Sequence, residues 1–326
     1  MSSLETFRVT SPAEIAALVP YLLGYQPKDG LAVLALRDHR VVFVAALPLP
    51  AAHDLDAAVA HLAAVVASKP VDSVQLIGYG DPDPITIAVD RITGALRLLG
   101  VAAADALRVA DGRLWHLHCP DPRCAAGVPF DPATTAAAAQ ATLAGLVAYA
   151  DRRTLAAQLD PIAGADHDAM QASLAVASDH VASLVESSVT RDEDPRTRLW
   201  EIVDDLTAET ISAYAGGGRL ADDRVALLLV LLSIGQARDV AIRHVHGDDA
   251  QIRAWTDLTR RAGTTYAPGP AILLALAALQ DGNGVLAELA VHRALDADPE
   301  DALAQILADA IRFGMEPETV RDALHD

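Results

Sequence analysis

The chain has 326 residues, a formal net charge of −19, 52% hydrophobic residues and 4% aromatic ones. Its only lysines are Lys28 and Lys69 and its arginines are scattered, so the clustered basic surface that nucleic acid requires is missing. No run of about 18 apolar residues is free of charge, which argues against a membrane span. Met1 to Thr10 lacks the basic-then-apolar order of a signal peptide, so the expected compartment is the cytoplasm.

The first helix signal is Ser11-Pro12-Ala13-Glu14, with Ser as cap, Pro at the first helical position and Glu behind it. That helix runs to Leu23, where Gly24 ends it and Pro27 keeps it from resuming. Leu31 to Leu36 is a continuous apolar run and reads as a buried strand. Asp38-His39 turns it into a returning strand, Val41 to Leu47, closed by Pro48 and Pro50. Asp54 caps a helix over 55–67. Ser73 to Ile77 is the next strand and ends in Gly78-Tyr79-Gly80-Asp81-Pro82-Asp83-Pro84. A helix then runs to Leu99, stopped by Gly100. Asp105 to Ala110 and Arg113 to His118 form a second hairpin turned by Asp111-Gly112. A Pro-rich loop follows, then a helix from Ala133 to Tyr149.

After residue 150 the strand signals stop. Segments 151–159, 165–188, 194–213, 220–233, 235–246, 248–262, 268–281, 284–297 and 299–313 all read as helices. They are separated by Asp-Pro, Gly-rich and Pro-Gly-Pro punctuation. Residues 1–150 are therefore expected to form an α/β domain, a mixed sheet flanked by helices. Residues 151–326 are expected to form an all-helical domain.

Three stretches carry a family resemblance. They are Val19-Pro20-Tyr21-Leu22-Leu23-Gly24-Tyr25-Gln26-Pro27-Lys28-Asp29-Gly30-Leu31-Ala32-Val33, Arg113-Leu114-Trp115-His116-Leu117-His118-Cys119-Pro120-Asp121-Pro122-Arg123-Cys124, and Gly282-Asn283-Gly284-Val285-Leu286-Ala287 continuing through Arg293 to Pro299. Together they resemble the actinobacterial domain of unknown function 4192 family along nearly the whole chain. The resemblance implies no activity, because that family has none assigned. The chain departs from the family pattern in carrying Gly30 where Ser is usual, Ala46 and Pro48 where Arg and Asp are frequent, and Cys124-Ala125 where two cysteines are common.

Two constellations could carry chemistry. His116, His118, Cys119 and Cys124 have the side chains of a tetrahedral zinc site. The alternatives are a disulfide or redox pair, since the cysteines are spaced five positions apart, and plain structural thiols. No other cofactor is indicated. The second constellation is a pocket lined by Tyr21, Tyr25, Tyr79 and Asp81, at the end of the third strand where open α/β sheets bind ligands. Gly78-Tyr79-Gly80 lacks the third glycine of a dinucleotide fingerprint, and Asp81 and Asp83 repel phosphate. Turn chemistry explains the same glycines and prolines without any ligand.

Leu274, Ala278, Ala287, Ala294 and Pro299 are spaced like one tetratricopeptide-type unit, whose small residues let two helices approach. His244 and His246 suit a helix C-terminus and need no further role. No nucleophile elbow, phosphate-binding loop or His-Glu-x-x-His motif is present. The expectation is a non-enzymatic interaction or scaffold protein with a protein partner, acting through its helical half. The alternative is a small-molecule sensor or enzyme with its pocket on the α/β half near Tyr79 and Asp81. Whether any reaction is catalysed, and the oligomeric state, stay open.

Overall fold

The structure, a computed structural model, describes residues 11–38, 40–49, 54–315 and 319. Met1 to Thr10, the turn residue His39 and the hairpin-closing Pro50 lie outside them. The chain divides into two compact units, one ending at Leu155 and the other beginning at Ala156.

In the first unit the element order is α1 (Pro12–Leu23), β1 (Gly30–Arg37), β2 (Arg40–Pro48), α2 (Leu55–Ala67), β3 (Ser73–Tyr79), α3 (Pro82–Leu98), β4 (Ala102–Ala110), β5 (Arg113–His116), β6 (Val128–Pro129) and α4 (Ala136–Leu143). The strands form one mixed sheet in the order β2-β1-β3-β4-β5-β6. Only β3 and β4 run parallel, joined across α3; every other neighbouring pair is antiparallel. Alternate residues of the strands, Leu31, Val33, Ala35, Val74, Leu76 and Ala106, meet Val59, Ile85, Val89, Ile92 and Leu96 of α2 and α3 in one buried cluster. Burying each valine, leucine or isoleucine among them contributes about 1.5–3 kcal/mol, which is what holds α3 on the sheet. Gly78 lets α3 come close: a Cβ there would run into the Ile85 side chain.

Two local features show how the opening stretch folds. Ser11 caps α1 by accepting from the Glu14 N–H, and Gly24 ends it at φ +78°. Pro20 lies inside α1 and has no N–H, so the Ala16 carbonyl loses its helical donor. The buried Tyr79 hydroxyl donates to that carbonyl at 3.4 Å. The helix expected to continue to Tyr149 stops at Leu143. Gly145 turns the chain at φ +83°, and Tyr149 then bridges to Tyr25. The Gln26 N–H donates to the Tyr149 carbonyl, and the Tyr149 N–H to the Gly24 carbonyl. Backbone pairing with a distant segment outweighed the helical propensity of this alanine-rich stretch.

The second unit is helical: α5 (Arg152–Ala156) leads in from the first, then α6 (Ala165–Thr190), α7 (Pro195–Ala215), α8 (Asp222–Leu232), α9 (Gly235–Ile242), α10 (Asp249–Arg261), α11 (Pro268–Asp281), α12 (Gly284–Ala297) and α13 (Ala302–Arg312). Helix α11 is buried from Gly269 to Ala278 and forms the middle of the unit. Leu274, Ala278, Ala287 and Ala294 are all buried, so the tetratricopeptide-like spacing describes packing within the unit. Arg261, wholly buried, donates to the Leu220 carbonyl, Asp257 and Asp222, and Asp257 also accepts from Tyr214 and Arg219. No single helix among the described residues is long and apolar enough to cross a membrane. Helices α8 and α9 reach that composition only as a pair bent by 115°.

Candidate functional site

The cleft beside β4 is built by a short strand and a proline-rich turn. β5 ends at His116, and Pro120 and Pro122 keep the chain beyond it from resuming the ladder. The chain swings out from there, and residues Pro122–Ala126 form a 3-10 turn that brings Cys124 back toward Cys119. The Cys124 N–H donates to the Asp121 carbonyl at 2.9 Å, and the Gly127 N–H to the Cys124 carbonyl at 3.0 Å. Arg113 ties the turn to β5 by donating to the carbonyls of Ala126 and Gly127 at 2.9 and 3.0 Å.

The result is an open cleft of about 520 Å³ whose lining includes Thr93, Asp105, His116, His118, Cys119 and Cys124. Cys119 and Cys124 are both half-buried, and their sulfurs are adjacent, 2.7 Å apart. Each histidine faces one aspartate: His116 Nδ1 is 3.4 Å from Asp105, and His118 Nε2 is 3.3 Å from Asp90 of α3. The other oxygen of Asp105 accepts from the Ala106 N–H at 2.8 Å, which fixes the carboxylate that orients His116. Thr93 Oγ1 is buried on the cleft wall without a hydrogen-bond partner among the described residues.

All four residues of the first expected constellation therefore line one cleft. They do not surround one point: among the described residues no group of three or more His, Cys, Asp or Glu side chains is placed to hold a metal ion. The two sulfurs are near enough to be joined once an external oxidant takes up two electrons and two protons.

Of the second constellation, two members are buried, one is half-buried and one is exposed. Tyr25 and Tyr79 are buried; the Tyr25 backbone bridges to Tyr149, and the Tyr79 hydroxyl donates to the Ala16 carbonyl. Burial also pushes the Tyr79 hydroxyl well above the usual phenol range, keeping it a neutral donor. Tyr21 is half-buried and its hydroxyl accepts from Thr142 at 3.4 Å. Only Asp81, exposed at the start of α3, faces solvent freely.

Sequence reasoning did not single out Arg108. It is 9% exposed and lies 3.7 Å over the Trp115 ring, and its Nη1 donates to the Gly80 carbonyl at 2.9 Å. Gly80 is held at φ +121° against Asp29. The indole is in turn pressed by Gly127, whose missing Cβ would lie 2.5 Å from it. A continuous chain of contacts thus runs from the Cys124 turn through Gly127, Trp115 and Arg108 to the loop after β3. Cross-strand pairing of Arg108 with Trp115 was the available signal, legible only once the β4–β5 register was known.

The match to the domain of unknown function DUF4192 spans residues 12–318. The chain belongs to this family. No curated protein and no solved structure matches it. The match takes in both units of this DUF4192 protein, including the cleft and the helical hairpin α11–α12.

Proposed function

We propose that this DUF4192 protein is a cytoplasmic thiol-based sensor whose α/β unit reads the thiol–disulfide state of its surroundings. The observation that carries the reading is the adjacency of Cys119 and Cys124 in an open cleft also lined by His116 and His118. The chemistry is thiol–disulfide exchange with an external disulfide, RS–SR. One cysteine thiolate attacks a sulfur of RS–SR; that S–S bond breaks, a mixed disulfide forms and RS⁻ leaves. The second thiolate attacks the protein sulfur of the mixed disulfide, the Cys119–Cys124 bond forms and a second RS⁻ leaves. The two thiol protons pass through water or the cleft histidines and end on the two RS⁻ groups. The protein is oxidised by two electrons, and the external disulfide is reduced to two thiols. The Gly127–Trp115–Arg108 contacts are the route by which this change would reach the loop at Gly80.

The test is to treat the reduced chain with 2-hydroxyethyl disulfide and measure the denatured, non-reduced mass. The wild type loses two hydrogens and shows altered Trp115 fluorescence. Cys119→Ser and Cys124→Ser stop at the mixed disulfide or do not react. A wild-type chain that stops at mixed disulfides, without the internal bond, would refute the proposal.

A second reading, an interaction protein acting through the helical unit, is favoured by Ile306 of α13 and by Phe313 and Met315 beyond it, all exposed apolar side chains. Its simplest form is self-association. Sedimentation of wild type against Ile306→Glu tests it: a wild-type assembly that the charge disperses supports it, and a monomer in both removes that form.

A further inference from the structure

The cleft has a second property besides its thiols: one wall is an unpaired strand edge. β5 covers β4 only from Leu107 to Ala110, and the last hydrogen bond on that side is from the Leu117 N–H to the Ala106 carbonyl at 2.9 Å. Residues 102–105 of β4 pair with β3 on one side and with no strand among the described residues on the other. The pairing with β3 shifts register between Ala103 and Asp105, so Ala104 is a bulge residue with no partner across the ladder. Ala103, Ala104 and Ala106 line the cleft, and of these Ala104 is exposed.

Edges of this kind are usually blunted by lysine, proline or a covering element, because an open row of N–H and C=O groups recruits another strand. Residues 102–105 carry no lysine or proline; the bulge at Ala104 and the charge of Asp105 are the devices they have. The one charge, Asp105, is engaged by the Ala106 N–H and faces His116. The buried, unpartnered Thr93 hydroxyl on the facing wall adds a polar group with no structural use.

We propose that the cleft takes an extended peptide whose cysteine is held in a disulfide, its backbone paired along the edge of β4 at residues 102–105 and its disulfide sulfur delivered to Cys119 and Cys124. This rests on the thiol-exchange reading above and names its substrate class. The recognition is strand addition, with main-chain hydrogen bonds giving affinity. A strand advances about 3.3 Å per residue, so three or four peptide residues span the free edge. Asp90 and Asp105 line or flank the site, which favours a neutral or basic peptide over an acidic one.

The test varies the ligand, so the folding of the protein is untouched. The reduced full-length chain reacts with three disulfides: that of Ac-Ala-Cys-Lys-NH₂, the same peptide with methylated backbone nitrogens, and 2-hydroxyethyl disulfide. Each rate of Cys119–Cys124 bond formation is read by mass after acid quench. Each is then normalised to the rate of that disulfide with a free small thiol. The expected result is a rate for the plain peptide at least about tenfold above both others, from two or three backbone hydrogen bonds. Equal normalised rates, with the internal bond forming in all three, would overturn the strand-edge proposal and leave thiol exchange standing. No internal bond with any of the three would remove both.

Discussion

Gly127→Ala is the substitution through which fold and site can be examined together. Gly127 has φ +64°, and a Cβ there would lie 2.5 Å from Cε2 and 2.6 Å from Nε1 of Trp115. The indole cannot swing away freely, because Arg108 covers its ring at 3.7 Å. Two costs therefore add. A non-glycine residue in the left-handed region costs roughly 1–2 kcal/mol. Forcing an extra methyl into a filled site costs about 1–3 kcal/mol more. The sum, about 2–5 kcal/mol, is a large share of the ~5–15 kcal/mol that keeps a domain folded. Gly145→Ala supplies the control: its φ is +83°, yet nothing lies within 4 Å of the added Cβ. It should show the backbone cost alone. Urea unfolding of the full chain measures both, with the difference between wild type and Trp115→Phe defining the fluorescence of the α/β unit. Trp200 and Trp255 report the helical one. The same Gly127 variant should form the Cys119–Cys124 bond more slowly, since Gly127 anchors the turn that carries Cys124. Equal destabilisation by the two substitutions would show that the indole does not pack on Gly127, and the contact route from the cleft to Arg108 would fall with it.

Two further outcomes concern the helical unit. Asp301 caps α13 and pairs with Arg238, both side chains about nine-tenths buried. Burial opposes ionisation of Asp301, but the Arg238 hydrogen bond, the Ala304 N–H and the Arg238 charge outweigh it and hold the carboxyl below its usual range. Asp301→Asn keeps a capping acceptor but strands the buried guanidinium, and should cost about 3–5 kcal/mol. A carboxyl lowered in the folded state stabilises fully above its unfolded pKa of about 3.9, and that contribution is lost as pH falls through the folded value. Acid titration of stability should therefore be shallower in Asp301→Asn than in wild type, and parallel curves would contradict the pairing. Tyr214 is pushed up to about 12, first by burial and then by its hydrogen bond to Asp257 and that group's charge. Its contribution is complete below the unfolded phenol value of about 10 and fades as pH rises toward the folded one. The ultraviolet titration of wild type minus Tyr214→Phe should show that late midpoint, and ionisation at the ordinary value would mean that the phenol is not held by Asp257.

The cleft was legible in part. Two histidines and two cysteines within nine residues announce that their side chains can meet, because so short a segment has little room to separate them. Which of them meet, and around what, was not legible. The histidines turn to Asp105 and Asp90, carboxylates brought in by β4 and α3, and the sulfurs turn to each other. The pocket expected around Tyr21, Tyr25, Tyr79 and Asp81 was read from loop position alone. Tyr79 was withdrawn from solvent by a need that arises on another element, the carbonyl that Pro20 leaves open in α1.

What the sequence determined by itself is the set of local choices. Ser11, Gly24 and Gly282-Asn283-Gly284 mark helix ends, apolar runs mark buried strands, and the loss of strand signals after residue 150 separates an α/β half from a helical one. These follow from side chains acting on their own backbone within a few residues, so no partner need be known. The tertiary structure decided the strand order, the early stop of α4, the open edge of β4 and the burial of Arg108 under Trp115. Each of these depends on which distant segment arrives to pair a backbone group or cover a ring, and local pattern carries no record of that arrival.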